Sequence, residues 1–505
     1  MDNLSPLAEP ISIPIQETDI SQPIYSIQLI EKASQAFVKW FVLKFPKTKK
    51  IKFFCGMGDN GGNGLEIARL LQEKGYNNKI FIVQHTSDTS FVFNKNITKV
   101  SSHKWITQSK DIPKISDDEI VIDAILGVGL NRPIDKHLAE IVDKINYSKA
   151  KIISLDIASG LFAEKHTSSS HVIIPTYTVT INLPKLAFLM PENEKYIGEY
   201  FILDVGLTID LVKKNRSDIR FISAPFVKSF FKKRTKYTTK ESLGKALLMV
   251  GTSENIGSAI LASRACLRVG VGKLTVHTPG YGHHVLQSSL PEASVIKDSR
   301  SIYTTQFPEL ESFTVVGIGP GIGSHPVTIE VFERLLKQAN KPMILTDDAI
   351  NILIKSKNLL NILPVSSILL MEPDEFYKLT HDEFFLKFDN DFEKLELLKK
   401  FTRKYNVVLI LKTGNNIIAL PNGQIHFNFT GNPGMIAHGT GDVLTGIVMS
   451  LMAQGYEPWR AAILGVYLHG LAGDVVGVKK GYSALIASDL IEEIPSGIKK
   501  LENLI

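Results

Sequence analysis

Short, almost wholly apolar runs alternate along the chain with longer stretches whose apolar residues recur every three or four positions, and this pattern occurs twice. In the first half, residues 51–55, 80–83, 120–125 and 152–157 read as buried strands, because compact apolar runs flanked by turn formers suit a strand covered on both faces. Residues 172–183 and 200–205 close that set. Residues 65–74, with Leu65, Ala68, Leu70 and Leu71 on one face, and residues 137–145 carry helical spacing. The second half restarts with strands expected at 246–250, 274–277, 314–318, 343–345, 368–371 and 407–411, and a helix at 258–269. Its last third is helical, over 442–453, 459–476 and from 487 onward. This alternation predicts an α/β chain of two domains, each a largely parallel sheet with helices on both faces. After Leu207 the pattern lapses, and the boundary is expected near residue 222, giving domains 1–222 and 223–505.

Composition narrows the class. The 505 residues allow two large α/β domains as readily as roughly three small ones. With 44% hydrophobic and 21% charged residues the chain can bury a sizeable core, which excludes general disorder. No apolar run reaches the ~18 residues of a membrane span, the most apolar C-terminal stretch (461–478) being broken by His469 and Asp474. Asp2, Glu9, Glu17 and Asp19 at the start lack the order of a signal peptide, so the cytoplasm is the expected compartment and no membrane partner is expected. Cys55 and Cys266 lie far apart, excluding a disulfide framework or a thiolate zinc cluster. The net charge of +6 is mild for this length. The dense basic stretch Lys228, Lys232, Lys233, Arg234, Lys236 and Lys240 comes without an aromatic stacking platform or a reading motif. It reads as a solvated interdomain linker, and no nucleic-acid partner is expected.

The first candidate chemistry lies between a strand and a helix. Gly56-Met57-Gly58-Asp59-Asn60-Gly61-Gly62-Asn63-Gly64 holds five glycines in nine residues, a loop able to crowd N–H groups around an anion at a helix N-terminus. Its first six residues match G-x-G-x-x-G. An ordinary dinucleotide site also needs an acid at the end of the next strand, and that strand ends Val83-Gln84-His85, which disfavours a standard dehydrogenase. Asp123, followed by Gly127 to Pro133, and Asp156, followed by Ile157-Ala158-Ser159-Gly160, stand at two further strand ends. The carboxyl ends of parallel strands form the ligand crevice, so the loop and both aspartates are expected to converge.

On these residues, positions 1–222 resemble the NAD(P)H-hydrate epimerase domain, Rossmann-like in fold, whose loop reads G-x-G-N-N-G-G-D-G. The resemblance implies substrate contacts from Asp59, Asn60, Gly61, Gly62 and Asn63, from Gly127, Val128, Gly129, Leu130, Asn131, Arg132 and Pro133, and from Asp156. It also implies a potassium ion on Asn60, Asp123 and Ser159, an all-oxygen set suited to a hard cation. Lys185 matches a family lysine motif. Two departures stand out: Asp59 and Asn63 interchange the family's Asn and Asp, and Ala158 replaces a usual Pro.

The second constellation is Thr430-Gly431-Asn432-Pro433-Gly434-Met435-Ile436-Ala437-His438-Gly439-Thr440-Gly441-Asp442. Gly439-Thr440-Gly441 can aim consecutive N–H groups at an anion, and Asp442 opens a helix. Together they pair an anion hole with a carboxylate base, as phosphoryl transfer to a hydroxyl requires. From about residue 244 to 501 the chain resembles the ADP/ATP-dependent NAD(P)H-hydrate dehydratases of the ribokinase-like superfamily. The matching residues are Ser258-Ala259, Gly319-Pro320-Gly321-Ile322-Gly323, Asp348-Ala349-Ile350-Asn351, His469-Gly470 and Ala487-Ser488-Asp489. The resemblance implies Asp442 as catalytic base and hydrate ligand, Ala259, Gly321 and Glu372 against the hydrate, and Lys412, Thr413, Gly414, Asn415, Asn416 and Gly441 around ADP or ATP with magnesium. Here a family K-G-x-x-T loop reads Lys412-Thr413-Gly414-Asn415-Asn416. A substrate-binding His aligns with Glu372, which either faces the substrate's pyrophosphate or turns toward Lys378. A family Asp aligns with Thr346.

The resulting expectation is a bifunctional repair enzyme for hydrated NADH and NADPH, assembled as a homotetramer or larger. The first domain would interconvert the R and S hydrates, and the second would phosphorylate the S hydrate from ADP and eliminate phosphate. Two alternatives stay open: a ribokinase-superfamily kinase acting on a sugar or hydroxymethylpyrimidine, and a nucleotide-binding sensor with an inactive N-terminal domain.

Overall fold

The computed structural model describes residues 23–205, 217–252, 254–300, 302–381 and 388–503. They form two compact units, the first comprising 23–205 with Asp389–Phe392 and the second the remainder. The first unit holds a seven-stranded sheet of β1 (Ile51–Cys55), β2 (Asn78–Val83), β3 (Lys104–Ile106), β4 (Ile120–Ala124), β5 (Lys151–Leu155), β6 (Tyr177–Ile181) and β7 (Glu199–Leu203). All its pairings are parallel, in the order β3-β2-β1-β4-β5-β6-β7. Successive residues of β1 serve opposite cores. Ile51, Phe53 and Cys55 pack with Phe37, Phe41 and Leu65, whereas Phe54 packs with Phe81, Val121 and Ile141. Both faces are therefore apolar, as the unbroken runs in the sequence require.

Where the strands stop has local causes. The run 172–183 is a strand only over Tyr177–Ile181, because Pro175 has no N–H to give to a ladder. The run 152–157 ends at Leu155, where Asp156 turns into the left-handed region (φ 66°). Helix Pro23–Lys44, unannounced by the sequence reading, adds Phe37, Trp40 and Phe41 to one core and sets the Lys44 ammonium 3.9 Å from the Tyr177 ring and 4.2 Å from that of Phe201.

The main correction in this unit concerns the glycine loop. Residues 59–64 are not a loop: the helix expected at 65–74 begins at Asp59 and runs to Glu73. None of Gly58, Gly61, Gly62 and Gly64 has a positive φ. Gly61, Gly62 and Gly64 serve close approach instead: a Cβ on Gly61 would fall 1.8 Å from the Gly56 carbonyl oxygen, and one on Gly64 2.7 Å from Ala124 Cβ.

The second unit carries a ten-stranded sheet of β8 (Ile219–Ile222), β9 (Lys245–Met249), β10 (Lys273–Thr278), β11 (Ser294–Lys297), β12 (Val315–Ile318), β13 (Met343–Thr346), β14 (Ile368–Met371), β15 (Val408–Leu411), β16 (Ile417–Ala419) and β17 (Ile425–Asn428). Its order is β11-β10-β9-β12-β13-β14-β15-β16-β17-β8, parallel except where β16 runs against β15 and β17. Strand β8 pairs with β17, so this unit begins before residue 222. Helices Ile256–Val269, Thr440–Ala453, Pro458–Lys480 and Ala487–Asn503 share one core with alternate residues of the central strands, among them Ala246, Leu248 and Val250.

Two expectations change here. Helix Pro458–Lys480 is long and apolar enough to cross a membrane by length and composition, so His469 and Asp474 do not disqualify it. It is apolar because neighbours cover it on most sides, Ala461 to Gly473 being almost continuously buried. The basic stretch is likewise not simply solvated. Lys232 donates to the Gly455 carbonyl at 2.7 Å, and Arg234 to the Gly270 carbonyl at 2.6 Å, just past the C-terminus of helix Ile256–Val269, where cations are favoured.

Gly62 tests the packing argument. A Cβ there would lie 2.7 Å from the Phe93 backbone nitrogen, a contact that no side-chain rotation relieves. Gly62→Ala is expected to destabilise the protein by about 1–3 kcal/mol, as overpacking does, read as a lowered urea midpoint. An unchanged midpoint would show that the helix shifts freely.

Candidate active sites

In each sheet the strand order reverses direction at one parallel pair of neighbours, between β1 and β4 in the first and between β9 and β12 in the second. Crevices form at the carboxyl ends of such strand pairs.

At the first crevice, Asp123 is fully buried on β4 and Ser154 is its register partner on β5. Its carboxylate accepts from Ser154 Oγ at 2.8 Å, Ser159 N at 2.9 Å, Ser159 Oγ at 2.5 Å and Ile125 N at 3.3 Å. Burial nevertheless pushes its pKa above the usual carboxylate value, against these four donors. Asn60 Nδ2 donates to the carbonyls of Leu126 (2.7 Å) and Leu155 (3.1 Å), and Leu126 N donates to Ser159 Oγ at 2.9 Å. Asn60, Asp123 and Ser159 are thus gathered around one short turn. Gly127 lies over Asn60, where a Cβ would approach its side chain to 3.2 Å. Gly127, Val128 and Leu130 are half-buried, and Gly129, Asn131, Arg132 and Pro133 are exposed along the rim.

The remaining residues of this set divide by depth. Asp59 is exposed in the first helical turn, where a carboxylate suits the helix dipole. Gly61 and Gly62 are buried, and Asn63 is buried beneath them, accepting from Ser34 Oγ at 2.6 Å. The interchange of Asp and Asn therefore leaves a neutral amide at the buried position and the charge at the wet one. Asp156 pairs with Lys185 at 2.9 Å and accepts from Thr180 Oγ1 at 2.9 Å. Its left-handed backbone is a strained conformation of the kind that clusters at working sites.

At the second crevice, Asp442 lies in the first turn of helix Thr440–Ala453, behind Gly439 (φ 86°), where a Cβ would strike Leu261 at 2.6 Å. Burial raises the pKa of Asp442, the hydrogen bond from Ser258 lowers it, the charge of Asp347 raises it, and His438 and Lys412 lower it. The anion hole is narrower than the sequence suggests. The Thr440 N–H turns back to the Ala437 carbonyl at 3.4 Å, leaving Gly441 and Asp442 as the first-turn donors without an intrahelical acceptor. Lys412 Nζ stands 3.0 Å from where a Cβ on Gly441 would be. Residues 412–416 form the turn between β15 and β16, held by Thr413 N to Asn416 Oδ1 at 3.0 Å, with Gly414 open to solvent and Asn415 half-buried. Ala259 is buried one residue past Ser258. Gly321 donates its N–H to Asp347 Oδ2 at 3.1 Å.

Two further findings bear on the departures. Glu372 does not turn toward Lys378; its exposed carboxylate pairs with Lys412 Nζ at 2.7 Å. Asp347, absent from the sequence candidates, supplies a carboxylate one residue after the buried Thr346, on a left-handed backbone (φ 51°). The Asp-Asp pair directly after a strand was the available signal. Buried His469, held neutral by a pKa lowered to about 4, backs the site.

Two family models match the chain in order: YjeF-related protein N-terminus over residues 26–187 and NAD(P)H-hydrate dehydratase over residues 246–496. The chain is 31% identical over 499 residues to the bifunctional NAD(P)H-hydrate repair enzyme Nnr of Moorella thermoacetica, covering 95% of this chain and 93% of that protein. To the Escherichia coli protein of the same name it is 26% identical over 474 residues, covering 92% and 88%. Among solved structures it is similar to the ADP/ATP-dependent NAD(P)H-hydrate dehydratase from Bacillus subtilis co-crystallised with ATP/Mg2+. That likeness is at 26% identity, over 56% of this chain and 98% of that one, with a TM-score of 0.48. A relative matched along nearly its whole length, with both family models at the two sheets described above, shows that the chain belongs to the family of bifunctional NAD(P)H-hydrate repair enzymes.

Proposed function

We propose that the chain interconverts the R and S hydrates of NADH and NADPH in its first unit and returns the S hydrate to the intact cofactor in its second, using ADP or ATP with magnesium. The observation that carries the proposal is that each unit places its own family motif at the switch point of its own sheet, Asn60 with Asp123 and Ser159 in one and Asp442 with Ser258 in the other. Asp442 is the proposed base: it accepts the proton of the hydrate's 6-hydroxyl as that oxygen takes the phosphoryl group. The N–H groups of Gly441 and Asp442 and the Lys412 ammonium face the phosphates, and Ala259 and Gly321 bound the hydrate. Loss of the phosphate and of a ring proton then restores the double bond. The deciding experiment supplies the R hydrate with and without ADP, following dihydronicotinamide absorbance and free phosphate. Absorbance that returns only with ADP, one phosphate per turnover, is the expected result; a stable phosphoester would mean a small-molecule kinase instead.

A potassium ion belongs to the proposal for the first site, and the residues fit it. Carboxylate, hydroxyl, amide and the Leu126 and Leu155 carbonyls are all oxygen-bearing groups. Among the described residues no basic side chain offsets the buried charge of Asp123. The ion would supply that counter-charge and an anchor for a substrate oxygen. Asp156 and Lys185 would face the substrate from the next strand end.

Asp442→Asn is expected to slow dehydration by about 10²–10⁴-fold while leaving epimer exchange intact, as for loss of a general base. Unchanged phosphate release would remove the assignment. Because its pKa is raised and the base must be ionised, dehydratase kcat should fall with decreasing pH already above the ordinary carboxylate range. A profile flat down to the usual Asp value of about 3.9 would contradict that. For the ion, potassium should raise the thermal midpoint of the parent protein but not of Asp123→Ala. Equal shifts in both would exclude Asp123 as a ligand.

A further inference from the structure

Met371 and Leu411 are register partners on the adjacent parallel strands β14 and β15, with Lys412 N donating to the Met371 carbonyl at 2.9 Å. The residues immediately after them, Glu372 and Lys412, are therefore neighbours by construction, and their side chains meet at 2.7 Å. Glu372 is also fixed from its other side. It is the N-cap of helix Pro373–Thr380, and its N–H donates to Glu375 Oε2 at 2.8 Å. The carboxylate thus holds the ammonium from a rigid strand-to-helix corner, while Lys412 Nζ simultaneously stands over Gly441 at the helix N-terminus where phosphates are proposed to bind. Lys412 also lies within electrostatic reach of Asp442 and of the half-buried Glu375.

We infer that Glu372 is a specificity-determining residue that competes with the nucleotide's phosphates for Lys412, so that an incoming nucleotide must displace a built-in carboxylate. This rests on the proposed nucleotide site and adds to it an internal competitor anion. Two consequences follow from the charges. The free site is nearly neutral at Lys412, which disfavours stray small anions. A nucleotide, once bound, keeps a carboxylate near its phosphates, so its affinity is held below what the lysine and the helix N-terminus would give alone. Both effects are Coulombic across a half-exposed pair, and both fade as salt screens them.

The test is titration of the full-length protein with ADP in the absence of hydrate, at low and at high salt, in the parent, Glu372→Gln, Lys412→Met and the double variant. Glutamine keeps the size and the hydrogen-bonding oxygen of Glu372 at the helix N-cap. ADP is expected to bind Glu372→Gln about five- to tenfold more tightly at low salt, with the gain falling to about twofold near 1 M salt, where the screening length is about 3 Å. Lys412→Met should weaken ADP binding, and adding Glu372→Gln to it should recover little, because the competed group is gone. If Lys412→Met weakens binding but Glu372→Gln leaves it unchanged, the competition is overturned and the nucleotide site stands. If Lys412→Met leaves ADP affinity unchanged, the nucleotide site itself is misplaced and the competition falls with it.

Discussion

Both crevices depend on one constraint: a helix must approach its neighbours closer than any side chain would permit. In the first unit the helix after β1 packs its opening turns against the ends of β1 and β4 through Gly61 and Gly64. That contact sets Asn60 against the Leu126 and Leu155 carbonyls beside the Asp123–Ser159 pair. In the second, a Cβ on Gly446 would fall 2.1 Å from the Ala262 carbonyl, so helices Ile256–Val269 and Thr440–Ala453 cross in near contact there. Four residues earlier on each helix, one turn nearer the crevice, stand Ser258 and Asp442. Their proximity, which lets Ser258 lower the pKa of Asp442, follows from the crossing point and the helical repeat. The glycines are structural in kind but functional in consequence, since a methyl group at any of them would spread the polar groups apart.

The same closeness determines the electrostatics. Asp123 and Asp442 both have their pKa values raised chiefly by burial, although Asp123 is held by short hydrogen bonds from Ser154 and Ser159 and Ser258 lowers the pKa of Asp442. A buried carboxylate supplied with donors but lacking a strong counter-charge is poised to accept a cation or a proton. Asp123 fits that description, whereas Asp442 has His438 and Lys412 close enough for their charges to lower its pKa. The dehydratase side carries a denser set of charges, with Asp347, Glu372 and Glu375 around Lys412. Backbone geometry rather than sequence adjacency brings them together, through the left-handed turn at Asp347 and the strand register at Glu372.

The sequence made the architecture legible, together with the position of the candidate residues at the ends of their elements. Unbroken apolar runs such as 51–55 admit little but a strand covered on two faces, and alternation with helices leaves little but parallel order. Asp123, Asp156 and Asp442 could be placed at strand or helix ends because parallel sheets present those ends on one side. Local signals failed where two conformations shared one composition: the glycines of 56–64 read as an anion-binding loop, whereas Gly61, Gly62 and Gly64 proved to be helical and in close contact with their neighbours. The apolar helix Pro458–Lys480 is a core element because of what surrounds it, which its own residues do not encode.

Partner choice was decided only in three dimensions. Nothing in the chain near residue 372 distinguishes Lys378, six positions away on the following helix, from Lys412, forty positions away just past the next strand. The register of β14 against β15 makes that choice by placing one backbone directly beside the other. Likewise Ser34, on a helix the periodicity did not announce, fixes Asn63 below the first crevice. Hydrophobic spacing is a property of neighbours along the chain, so the sequence by itself determines the elements and their buried faces. Hydrogen bonds and ion pairs reach only a few ångströms through space, so which groups they join is decided once the sheets have brought distant residues together.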